Sequence, residues 1–253
     1  MGETANIIVT HQPAGHVMRM LDWWKTSAPA DSLWIAYGGT KEEFAAIPWE
    51  QKFYLASNRI RTKDSQRERQ SYHEIFQLAV SLGILDGRRY VHLAEFDQIP
   101  LQPALNMLQS RVLNRLRADI LGYRLARIDG TNHAHYLSHM HDPGFGRFLH
   151  RISRRTDKGV VLSFVGFGSF WTAEAFRAVA AVAEPMPVYL ELWMPTVAHH
   201  LGFKIRKIDE PERFNALEGD ASSLIDEATA AGMWNVHPVK SRWNDPSAPP
   251  SPP

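Results

Sequence analysis

The stretch RYVHLAEFDQIPL, Arg89–Leu101, joins an apolar strand to a pair of acids. Tyr90–Ala94 (YVHLA) reads as a buried strand and runs directly into Glu95-Phe96-Asp97. With one residue between them, the two carboxylates share a face in extended backbone. Carboxylates so placed repel unless a cation or a proton lies between them. Their oxygens suit Mg²⁺ or Mn²⁺. The carboxyl edge of a parallel sheet is also where open α/β folds bind ligands. The spacing alone equally allows two solvated acids at a strand exit before Pro100.

On the N-terminal side of this stretch, short apolar runs alternate with helical patterns. Asn6–Thr10 (NIIVT), Ser32–Tyr37 (SLWIAY) and Lys52–Ala56 (KFYLA) read as strands. Between the first two, Val17, Met20, Leu21 and Trp24 recur at i, i+3, i+4, i+7, which predicts a helix over 15–25. A short helix is expected at 41–46. A longer one is expected over 64–82, closed by Gly83. On the C-terminal side, helices are predicted over 103–117, 172–183 and 190–201, with strands at 119–124, 160–164 and 203–208. The segment Ser163–Trp171 (SFVGFGSFW) reads as a Gly-containing loop whose backbone can approach a ligand closely. It lacks the third Gly of a dinucleotide fingerprint. Strand–helix alternation of this spacing predicts an α/β sandwich with a mainly parallel sheet. Residues 1–243 are read as one domain, and the Pro/Ser-rich 244–253 (NDPSAPPSPP) as a disordered tail.

Composition narrows the partners. The 253 residues hold 28 Lys+Arg against 27 Asp+Glu, a net charge of +1, with no Cys. Near-neutrality argues against nucleic-acid binding driven by bulk charge, but a nucleotide needs only a few local partners. The lack of Cys excludes disulfides, zinc–thiolate sites, Fe–S clusters and a Cys nucleophile. No signal-type segment and no apolar run of membrane-spanning length is seen, so a cytoplasmic protein without an integral membrane segment is expected.

Two further segments bear on the acidic pair. WNVHPVKSRW, Trp234–Trp243, offers His237 as an imidazole ligand and Lys240 as a phosphate partner, or else a surface turn with Trp packing. VYLELWMPTVAHHLG, Val188–Gly202, puts Glu191 near a helix start, as a buried base or as a simple complement to the helix dipole.

In this order, an N-terminal strand, an acid-x-acid triplet after the fourth strand, an acid on a late helix and a C-terminal His-x-x-Lys, the chain resembles GT-A-fold glycosyltransferases from about Asn6 to Lys240. The resemblance implies a GT-A-like, Rossmann-like three-layer sandwich. It implies Mn²⁺ or Mg²⁺ held by Glu95, Asp97 and His237, with Asp97 the direct ligand, Glu95 touching the metal or the ribose and His237 the third ligand, the ion bridging the diphosphate of a nucleotide sugar, most often a UDP-sugar. It implies Lys240 on that diphosphate, Arg67 and Tyr72 (with Arg69) on a helix bordering the donor, and Thr10, His11 and Gln12 at the strand end that meets the nucleobase. Glu191 becomes the acceptor's general base if the reaction inverts, and otherwise a positioning group. The acceptor is a glycan, a lipid-linked glycan, a small molecule or a protein. The triplet starts with Glu rather than Asp, and the His-x-x-Gly-x-x-Lys variant is absent.

Two other readings stay open. GTNHAHYLSHMHDPG packs His133, His135, His139 and His141 together, and a metal-dependent hydrolase would use His133, His135 and Asp142. A non-catalytic nucleotide-binding protein on the same fold is the other.

Overall fold

In a computed structural model of the chain, residues 2–29, 31–57, 72–140, 142–208, 214–215 and 221–237 are described. The central strand is β1, Thr4–Thr10, and all seven of its residues are buried. A strand can be apolar along its whole length only if both of its faces are covered. Ile7 and Val9 join a core on one face, and Ile8 joins a second core on the other.

Beside β1 lie β2 (Ser32–Tyr37) and β4 (Tyr90–Glu95), both parallel to it, and β3 (Lys52–Tyr54) extends the sheet beyond β2. Beyond β4 come β7 (Leu162–Thr172), β6 (Ile120–Arg127) and β8 (Ile205–Lys207), completing the order β3-β2-β1-β4-β7-β6-β8. Only β7 runs antiparallel to its neighbours. The sheet is therefore mainly parallel, as the alternation predicted.

Helix α1, Ala14–Ser27, buries Val17, Met20, Leu21 and Trp24, the stripe read from the sequence, into the Ile8 core. Helices α3 (His73–Ser81), α7 (Ala173–Val182) and α8 (Leu190–His200) cover the opposite face. There Phe76 stacks on Phe176 with centroids 4.3 Å apart. The result is the GT-A-like, Rossmann-like three-layer sandwich expected. The short α2, Lys41–Ala46, is closed by a reciprocal cap between Thr40 and Glu43. No helix among the described residues is long and apolar enough to cross a membrane.

One expectation is corrected, and helices appear where none was predicted. The segment read as a Gly-containing loop is most of β7, an eleven-residue strand that pairs with β4 through Ser169–Thr172 and with β6 through both of its ends. The pairs on either side of Gly166 and Gly168 carry the strand across an irregularity in the β6 register, where Gly168 takes φ of 84°. The histidine-rich stretch is largely helical: α5 covers Ala134–His139, and α6 (Pro143–Ile152) follows Asp142, which caps it. A further helix, α9 (Ala221–Ala230), precedes the C-terminal strand. Of the helix predicted over 64–82, the part up to residue 71 lies outside the described residues, as does the tail 244–253.

A second, small sheet positions the C-terminus. It holds β5 (Ile99–Pro100), α4 (Leu105–Arg115) follows it in the chain, and β10 (Asn235–Val236) lies between β5 and β9 (Phe214–Asn215). Val236 pairs antiparallel with Ile99, and Asn235 with Pro100. The backbone N–H of Leu101 donates to Trp234 O at 2.8 Å, extending the contact.

Candidate metal centre and adjoining pocket

The register of β10 against β5 decides the geometry of the site. Ile99 follows Asp97 by two residues, and Val236 precedes His237 by one. Pairing Ile99 with Val236 thus lays His237 beside the acid triplet at the end of β4. The triplet itself is held against β1, because the Phe96 N–H donates to Val9 O at 3.1 Å.

His237 Nε2 lies 3.1 Å from Glu95 Oε2 and 3.2 Å from Asp97 Oδ1. One ring N–H cannot serve both acids. The hydrogen bond goes to Glu95, while the buried Asp97 Oδ1, without a hydrogen bond of its own, faces the same nitrogen as an ion-pair partner. A buried carboxylate oxygen without a full hydrogen bond is costly. One ligand atom from each of the three residues lies within 4.8 Å of the others, the spacing of a shared cation. Two hard oxygens and an imidazole suit Mn²⁺, or Mg²⁺ with more water. The residues present therefore fit a divalent metal.

The electrostatics agree. Burial pushes the Glu95 carboxyl up; His237 opposes this, while Asp97 and Glu191 add to it. For His237, burial acts to lower the pKa, but the close approach of the Asp97 and Glu95 carboxylates wins and raises it to about 9. A proton on His237 thus stands between the acids, and a metal would displace it, because only neutral imidazole ligates.

Glu191 sits in the first turn of α8. Together with Glu95, His237, Arg124, His133 and His135 it lines a pocket of about 280 Å³. Gly166 of β7 makes room for it: a Cβ added there would lie 3.3 Å from Glu191 Cγ and 3.2 Å from Leu190 Cδ2. Glu95, Glu191 and His237, chosen from the sequence as separate candidates, thus share one cavity.

The other candidates are placed less centrally. Thr10 ends β1, buried, and its hydroxyl accepts from the Gln12 N–H at 3.1 Å. The His11 ring meets Phe96 edge-on at 5.5 Å, and the Gln12 amide lies 3.4 Å from His11 Nε2. These three form the strand end next to the triplet and are not part of the pocket wall. Tyr72 lies in the core at the start of α3 rather than at the pocket. Arg67, Arg69, His141 and Lys240 lie outside the described residues.

The hydrolase set is not assembled. Asp142 Oδ1 is engaged by the N–H groups of Gly144 at 2.7 Å and Phe145 at 3.4 Å, as the cap of α6. His139 Nε2 accepts from the Tyr189 N–H at 3.2 Å. Among the described residues, Glu95, Asp97 and His237 are the metal-type cluster, and His133 and His135 belong to no such group.

A polar network behind the triplet was missed in the sequence. The Asn106 amide donates to Asn6 Oδ1 and to Asp31 Oδ2, both at 2.9 Å. Its Oδ1 must then accept from His92 Nδ1, 3.1 Å away, which leaves His92 Nε2 to accept from Gln98 Nε2 at 3.3 Å. His92 is fully buried, and burial drives its pKa down to about 3 despite the Asn106 bond. The neutral ring so fixed anchors Gln98, the residue after Asp97. The legible signal was a histidine inside YVHLA, since a polar side chain in a fully covered strand must find partners.

No family model matches the chain, and no curated protein does. Among solved structures, core-mannan synthase A of Aspergillus fumigatus in its Mn/GDP form is 10% identical over 82% of this chain and 73% of its own, with a TM-score of 0.35. Mouse xyloside xylosyltransferase 1 in its apo form is 9% identical over 93% and 96%, with a TM-score of 0.41. Likenesses this distant assign neither a family nor an activity.

Proposed function

We propose that the chain is a divalent-metal-dependent glycosyltransferase of hexosyltransferase type, with a nucleotide diphosphate sugar, a UDP-sugar by preference, as donor. The observation that carries this reading is the meeting of Glu95, Asp97 and His237, with a buried Asp97 oxygen that has no hydrogen bond of its own, at the carboxyl end of a mainly parallel sheet.

Breaking an anomeric C–O bond leaves negative charge on the departing diphosphate. A bound Mn²⁺ or Mg²⁺ supplies Lewis-acid stabilisation of that charge. Asp97 and His237 would hold the ion directly, and Glu95 would complete the set. Lys240 and Arg67 are proposed as cationic partners of the diphosphate, and Tyr72, packed in the core at the start of α3, as a support for the donor side rather than a contact. Thr10, His11 and Gln12 end β1 beside Phe96, where they can border the nucleobase. Glu191, in the same pocket as Glu95, accepts the proton of the acceptor hydroxyl in an inverting transfer, or positions the acceptor in a retaining one.

The test is a thermal-shift panel of UDP, GDP and UDP-sugars with and without Mn²⁺. Saturation at about 100 times Kd stabilises by about 2.7 kcal/mol, or roughly 5–11 °C for a domain of this size. Asp97→Ala is expected to abolish the metal-dependent part. A nucleotide shift with no turnover of any nucleotide sugar would favour the non-catalytic binding protein. Absence of any Mn²⁺-dependent shift would overturn the reading.

A further inference from the structure

We infer that the pocket beside the metal ligands takes an acceptor carrying an oxyanion, a carboxylate or a phosphate, gripped by Arg124, His133 and His135. The inference rests on the glycosyl-transfer reading of the site and names the class of its second substrate.

Arg124 carries the argument. It lies in β6, where the pairing with β7 slips between Tyr123 and Ala126. Its backbone is left-handed, with φ of 54°. That conformation is strained for an L-residue with a long side chain, and glycine would avoid the strain. Residues held this way gather at ligand sites. The slip delivers Arg124 to the lining of the pocket that also holds Glu95 and Glu191. Even so, Arg124 makes no ion pair or hydrogen bond among the described residues. A guanidinium in a pocket with two acids, engaged with neither, is available to a ligand.

The two histidines add ring N–H donors. His133 Nδ1 accepts the His135 N–H at 3.2 Å, so its ring proton sits on Nε2. His135 stacks on Tyr189 with centroids 4.6 Å apart and meets the His133 ring edge-on at 5.0 Å. Its Nδ1 is buried and has no hydrogen-bond partner. A guanidinium fork and imidazole N–H groups match the oxygens of a carboxylate or phosphate. A neutral hydroxyl would leave the fork unused. With Glu95 committed to the metal and Glu191 to the reacting hydroxyl, the anion has its own partners in the cavity. At about 280 Å³, the space is near the lower limit of the roughly 300–1,000 Å³ typical of small-molecule sites, which favours a single charged sugar unit.

The test uses the full chain with Mn²⁺ and UDP present. Glucuronate is the carboxylate probe, glucose 6-phosphate the phosphate probe, and glucose the neutral control. At least one charged sugar is expected to bind at least about tenfold more tightly than glucose, as read by calorimetry or by the shift in unfolding temperature. Whichever of the two responds identifies the oxyanion. Arg124→Met is expected to erase the preference, and His133→Gln to reduce it. Arg124→Gly relieves the left-handed backbone. It is expected to unfold no lower than the parent while also losing the preference, which separates ligand binding from folding. Equal binding of glucose and both charged sugars, or a preference that survives Arg124→Met and Arg124→Gly, overturns the inference. Failure of Mn²⁺ and UDP to stabilise the parent chain overturns instead the reading on which it rests.

Discussion

Acidification is predicted to destabilise the protein through His92, and the effect can be sized. The ring is fully buried in β4 between the Trp24 and Phe170 rings, 5.5 and 6.1 Å away. Burial lowers its pKa from 6.5 to about 3. Because the folded value is depressed, the stabilising contribution is complete above the unfolded pKa and is lost as pH falls from there toward 3. Within that window the unfolded chain holds one more proton than the native one, at a cost of about 1.4 kcal/mol per pH unit. Acidification from about pH 7 to about pH 5 therefore removes roughly 2 kcal/mol through this residue, or roughly 4–8 °C of Tm. His237 has the opposite sign. Raised to about 9, its contribution is fully present below 6.5 and lost as pH rises through 9, so it offsets part of the His92 loss between pH 7 and 6.5 and is constant below that. His135, His199 and His200 are also lowered, chiefly by burial, so the contrast with a variant is the decisive measurement. His92→Gln keeps one donor toward Asn106 and one acceptor toward Gln98. It should be less stable at neutral pH, by about 1–3 kcal/mol, yet lose less between pH 7 and pH 5. Urea melts across that range, with the m-value held common, give both slopes. Equal slopes for the two proteins would refute the buried neutral histidine.

Other perturbations separate the parts of the site. Glu191→Gln removes the proposed base and should lower turnover by roughly 10²–10⁴ while the Mn²⁺-dependent thermal shift persists; loss of both together would place Glu191 in the metal centre instead. Gly166→Ala brings a methyl within 3.3 Å of Glu191 Cγ. It should cost about 1–3 kcal/mol by overpacking and reduce kcat more than it weakens metal binding, as single-turnover kinetics would register. Asp142→Ala removes the cap of α6 at about 1 kcal/mol, seen as a drop of roughly 2–4 °C in Tm. Turnover should be unchanged, and its collapse would revive the histidine-centred hydrolase.

What could be read from the sequence and what could not divide along physical lines. Strands covered on both faces are continuous apolar runs, so β1 and β4 were visible, and the 3.6-residue stripe of α1 was visible for the same reason of burial. The acid pair was legible because a charged triplet at the end of such a strand needs an explanation. Of β7 only the start was visible, in the strand expected at 160–164; the rest was not, since Gly166 and Gly168 argue against a strand and the pairs that continue it beyond them, at Ser169–Thr172, are long-range. Helix α6 carried its own start signal in Asp142-Pro143, but Gly144 and Gly146 dilute the helical pattern behind it. Arg124 carries no local signal at all, because its conformation depends on a slip in register with a strand that comes later in the chain. The approach of His237 to Asp97 depends on β5 and β10, two residues each, too short to leave any period. Those four residues nonetheless close the candidate metal centre. A residue as ordinary as Val236 is therefore predicted to matter for cation binding, because its backbone pairs with Ile99 and sets where His237 points.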